Sequence, residues 1–231
     1  MENNVLTQSR SEASVSSFVS RVFMWVAAGL GVSAMGSWWL LAQPDLVMGL
    51  ARNTWIMFAL IIVEFVLVIW LSAKIMTLGT AMATSMFFAF SFLNGITLAP
   101  TLLFYTGASI VTTFVVTSGT FFFFAVYGLT TKRDLTRVGQ LAMMALIGLI
   151  LVSLVNMFMR SAALDWVLTF VGIAVFMGLI AWRTQRLKEL HAMAQGAENE
   201  KRLVIIGALG LYLDFINLFL MLLRIFGKRR D

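Results

Sequence analysis

Cysteine is absent from the chain, which excludes disulfides, thiolate nucleophiles and iron–sulfur clusters. There is one histidine, His191, so a three-histidine metal site is excluded. It lies in a polar stretch, away from the apolar serines, which leaves no intramembrane serine–histidine pair for acyl transfer. Proline occurs twice, and charged residues make up only 12% of 231 positions. A soluble domain carries about a quarter charged residues, so this chain is not one.

What fills the sequence instead is apolar: 60% hydrophobic residues, with 20 Phe, 15 Met and 7 Trp. The mean hydropathy is +0.91. Such a composition predicts an all-α, multi-pass membrane protein in contact with the lipid bilayer. The net charge of +6 would suggest a nucleic-acid partner in a soluble protein. Here it reads as loop cations that fix orientation, and no nucleic acid is expected.

Seven apolar stretches fall in the length range of a membrane span, about 17 residues or more: 22–42, 55–73, 79–104, 106–127, 138–159, 166–182 and 203–226. Residues 1–20 are polar and serine-rich, and are expected to form a disordered tail before a membrane domain at 21–227. Residues 228–231 form a short basic tail. The first apolar run starts late and is too long for the core of a signal peptide. Pro100 is expected to kink the third segment, and 183–202 reads as a charged loop holding a solvated His191. With the N-terminus inside, eleven Lys and Arg fall on the cytoplasmic side and six outside. This asymmetry favours a cytoplasmic N-terminus. The basic C-terminus opposes it, and would return to the cytoplasm if the last segment were re-entrant.

The last segment carries the strongest signal. Gly207, Gly210, Asp214, Asn217 and Arg224 share about a third of its circumference, and the remainder is Leu, Ile, Phe and Met. A carboxylate at mid-membrane costs at least about 2.5–3.5 kcal/mol, so this stripe should face protein. Glu64 is the other intramembrane acid, about ten residues into the second segment. If both acids lie near the midplane, they could approach one another or hold a hard cation such as calcium through oxygen ligands. The Ser and Thr stripes of the third and fourth segments read as glue between helices. Asn94 and Asn156 are more demanding, because an amide in hydrocarbon needs partners.

Three stretches, LYLDFINLFLMLLRIFG near the C-terminus, FLNGITLAP at 92–100 and YGLTTKRDL at 127–135, resemble the Bax inhibitor-1 family in its bacterial inner-membrane branch. The resemblance runs from about residue 20 to the end. It implies six helices around a central seventh, and a pH-sensitive calcium leak of the kind proposed for bacterial relatives. In those relatives an aspartate late in helix six shares a proton with one in helix seven. The helix-seven member matches Asp214, and Glu64 matches an acidic position in helix two. The helix-six member does not match: relatives read Ala-Tyr-Asp-Thr-Gln where this chain reads Ala181-Trp182-Arg183-Thr184-Gln185. An arginine cannot share a proton as a second aspartate does, and is expected to form an ion pair with Asp214 instead.

The candidate ion-pathway and gating residues are therefore Asp214, Arg183, Glu64, Asn217 and Asn94. No cofactor is expected, with calcium entering only as a transported ion. The competing reading is a non-catalytic regulator that binds membrane proteases or other membrane proteins. An intramembrane hydrolase is disfavoured, since aspartyl proteolysis needs two acids sharing a proton and Arg183 removes one.

Overall fold

The computed structural model describes residues 2–194 and 196–230, with side chains from residue 14 onward. Eight helices follow in order: α1 Glu2–Leu41, α2 Pro44–Arg52, α3 Thr54–Lys74, α4 Thr80–Leu102, α5 Gly107–Thr130, α6 Thr136–Met159, α7 Ala162–Ala192 and α8 Ala197–Phe226. Seven of them, all but α2, are long and apolar enough to cross a membrane. In hydrocarbon a helix satisfies its own backbone polar groups, which is why apolar runs of this length take no other form.

Three boundaries depart from expectation. The polar stretch read as a disordered tail is helical from Glu2, and from Phe18 onward its apolar residues are buried. The supposed loop at 183–202 is mostly helix: α7 continues to Ala192, and α8 begins at Ala197. Arg, Lys, Glu and Leu are strong helix formers, so a charged run extends a span as readily as it ends one. His191 accordingly lies on α7, its Nε2 3.2 Å from Ser14 Oγ and its ring 5.2 Å from that of Phe18. Third, a short helix, α2, stands between the first two apolar stretches, with Pro44 in its first turn. Val47 of α2 packs with Leu40 and Ala99. Pro100 does not end α4, which runs on to Leu102.

The chain divides into two compact units, one of residues 1–104 and 187–212, the other of 105–186 and 213–231. In the first, α1 lies against α4. A Cβ at Gly95 would collide with the backbone of Ser33, so glycine permits this approach. Ser37 Oγ donates to the Gly95 carbonyl at 2.7 Å across the same seam. Aromatic edges of Phe87 and Phe90 surround the fully buried Tyr212. In the second unit Phe215 packs between Phe114 and Phe121, each with ring centroids 5.5 Å away. Asn156 closes the α6–α7 turn: its Oδ1 accepts from Ser161 N–H at 3.0 Å and its Nδ2 donates to Asp165 at 2.9 Å. That explains the buried amide without any role in an ion path. Of the seven spans α8 is the most enclosed, with 67% of its apolar stretch buried against at most 39% elsewhere.

Candidate functional site

Each unit holds one intramembrane acid. In the first, Glu64 of α3 accepts hydrogen bonds from the Thr97 hydroxyl and from Asn94 Nδ2, the latter at 3.1 Å. Thr97 and Asn94 are three residues apart on α4, so both face the same neighbour. Asn94 Oδ1 accepts in turn from the Tyr212 hydroxyl at 2.8 Å. That hydroxyl lies 2.6 Å from Ser33 Oγ, which is itself 2.7 Å from the Ser91 carbonyl. Glu64, Asn94, Tyr212 and Ser33 thus form one hydrogen-bonded chain from α3 through α4 and α8 to α1. Every link is neutral except the carboxyl at its end.

In the second unit Asp214 of α8 faces Arg183 of α7. Arg183 Nε lies 2.9 Å from Asp214 Oδ2, and only 2% of the Asp214 side chain is exposed against 29% for Arg183. The guanidinium also lies 3.7 Å from Met143 Sδ, a soft apolar neighbour. Trp182 fills the space left by Gly139, where any Cβ would meet the indole. Its ring centroid is 5.9 Å from the Arg183 guanidinium carbon and 5.4 Å from that of Arg186, within cation–π range. Charge is balanced here by an ion of opposite sign, held from outside by an aromatic face.

Of the sequence-predicted residues, Arg183 and Asp214 come together, and so do Glu64 and Asn94. Glu64 and Asp214 belong to separate units, each with its own partners. Asn217 joins neither cluster, its amide donating to the Leu213 carbonyl one turn back at 2.8 Å. Among the described residues no group of three or more His, Asp or Glu side chains gathers as a metal site. Tyr212 and Ser33 were missed by sequence reasoning. Tyr212 left a signal, because a phenol inside an apolar span requires a hydrogen-bond partner.

A family model described as "Inhibitor of apoptosis-promoting Bax1" matches residues 15–231. This chain belongs to the Bax inhibitor-1 family. Three relatives match it over nearly its whole length. The inner membrane protein YbhL of Escherichia coli K12 is 44% identical over 94% of both chains. An uncharacterized protein of Borreliella burgdorferi is 38% identical over 98% of both. Another, from Deinococcus radiodurans, is 37% identical over all of this chain and 98% of the relative. The protein is therefore a multi-pass membrane member of the Bax inhibitor-1 family, with neutral donors around Glu64 and a guanidinium beside Asp214.

Proposed function

We propose that this Bax inhibitor-1 family member is a cation leak in the bacterial inner membrane, with calcium as the transported ion and the Arg183–Asp214 pair as a lock on the path. The observation that carries the reading is the 2.9 Å contact between the Arg183 guanidinium and an almost fully buried Asp214 carboxylate. A buried pair of this kind resists separation, because parting the charges leaves each of them uncompensated in a poor solvent. Arginine does not lose its proton in proteins, so this pair cannot share one between its members as two carboxyls do. The leak is accordingly weak, or insensitive to pH between about 5 and 8. Glu64 with the oxygens of Thr97, Asn94 and Tyr212 offers hard ligands of the kind calcium takes. The reading assigns no catalysis to any residue, and places the N-terminus in the cytoplasm from the bias of Lys and Arg.

The test is calcium flux into liposomes containing the purified full-length protein, measured from pH 5 to 8, alongside Arg183→Asp. The expected result is low, flat flux for the unmodified chain, and faster flux that depends on pH for the variant. A steep pH-gated flux in the unmodified protein would overturn the lock. If neither protein conducts while both remain folded, the leak reading fails, and a non-catalytic regulator of other membrane proteins takes its place.

A further inference from the structure

We infer that the end of the second unit carrying the C-terminus is a docking site for anionic phospholipid headgroups, with phosphatidylglycerol as the probe. The last helix ends at Phe226, and the chain continues as Gly227, Lys228, Arg229, Arg230 and Asp231, three cations to one acid. This tail is tied down by its backbone. Thr106 N–H donates to the Lys228 carbonyl at 3.0 Å, Lys228 N–H donates to Ser109 Oγ at 3.1 Å, and Arg229 pairs antiparallel with Tyr105. The three basic side chains are exposed.

Two more cations reach the same end. Arg224 Nη1 lies 3.9 Å from Asp165 Oδ1, and Asp165 accepts from the Asn156 amide that closes the turn holding the exposed Arg160. Arg160 has φ of 51°, the left-handed conformation that ends α6. Five cations therefore meet one described acid, Asp165, and of the five only Arg224 pairs with an acid among the described residues. Helix dipoles account for Arg224 in the last turn of α8 and for Arg160 at the C-cap of α6, but not for the three cations of the tail beyond α8. Trp166, 51% exposed, and Phe226, 57% exposed, flank the cations with the amphipathic or apolar faces expected at headgroup depth.

Four to eight Lys and Arg abutting a membrane helix attract anionic lipid, and guanidinium matches a phosphate with two parallel hydrogen bonds. A backbone held in place removes much of the ordering cost of binding. A soluble anion would have no use for the aromatic flank, which is why the lipid is chosen over free phosphate. The inference does not depend on the cation-leak reading.

The experiment is native mass spectrometry of the full-length protein in micelles containing equal phosphatidylglycerol and phosphatidylcholine. Retention of phosphatidylglycerol over phosphatidylcholine is expected. The variant carrying Lys228→Gln, Arg229→Gln and Arg230→Gln should lose that preference by about fivefold for each residue removed at low salt. A variant with Arg133→Gln in the α5–α6 connection and Arg137→Gln at the start of α6, the opposite end of that helix from Arg160, should retain most of it. Arg229→Gln alone gives a smaller but decisive change should the triple variant misfold. Equal retention of both lipids overturns the site, as does a preference unmoved by the tail substitutions. Displacement of the lipid by millimolar inorganic phosphate would assign the cations to a soluble anion instead.

Discussion

Glu64 and Asp214 are both carboxyls on apolar helices, yet they are surrounded by different chemistry. Glu64 ends a chain of neutral hydrogen-bonding groups, Thr97, Asn94, Tyr212 and Ser33. Asp214 faces a guanidinium. A neutral shell tolerates either protonation state of its acid and can exchange partners one bond at a time. An ion pair in an apolar shell must break as a whole, and breaking it exposes two charges at once. The first arrangement suits a site that a cation visits, and the second suits one that holds still.

Removing one partner of the ion pair is the most severe way to break this contrast. Arg183→Ala should lower stability by about 3–5 kcal/mol, read from thermal or denaturant unfolding in detergent. Replacing both members, as Arg183→Met with Asp214→Leu, should recover most of that loss, since apolar side chains of similar volume need no charge partner. If the double variant is no more stable than the single one, the pair is not the source of the penalty.

Glu64→Gln should be milder in unfolding, at about 1 kcal/mol, because its single amide oxygen keeps one of the two bonds that Thr97 and Asn94 donate to separate carboxyl oxygens. In the flux assay, carried out on the leaky Arg183→Asp background, it should nevertheless reduce calcium passage. A variant that conducts normally without this carboxylate would remove Glu64 from the path. Tyr212→Phe keeps the packing against Phe87 and Phe90 but strips the hydroxyl that links Asn94 to Ser33. Its expected cost is about 0.6–2 kcal/mol, the worth of one hydrogen bond between membrane helices.

The smallest expected effect lies outside the membrane and calibrates the pH response of the rest. Thr136, through its side chain and its backbone N–H, holds the Asp134 carboxyl below the usual aspartate range at the start of α6. A carboxyl depressed in the folded state stabilises above its unfolded value, near about 4, and that contribution disappears as pH falls through the lower folded value. Asp134→Asn should therefore melt slightly below the unmodified protein at neutral pH and level with it in strong acid. A gap that persists unchanged at low pH would mean that the contact is not ionic.

Much of this was legible in the sequence because the bilayer imposes its own rule. Unbroken apolar runs must become helices, so the seven spans followed from Phe, Leu, Ile and Met alone. The inward face of the last helix followed from Asp214 among glycines, and Arg183 was flagged by its departure from the pattern around Trp182. Helix ends were less visible. The Lys, Arg and Glu of 183–202 look like a loop by polarity, but they carry good helix propensity, so α7 and α8 extend into them. What only the tertiary structure decided was pairing. Sequence placed two acids at similar depth and allowed them to meet, and the fold gave each separate partners. Hydropathy and periodicity report which face of a helix turns inward, while the neighbour on that face is set by packing among helices distant in the chain. Asn94 with Tyr212, 118 residues apart, and Lys228 with Ser109, 119 apart, are contacts of that kind.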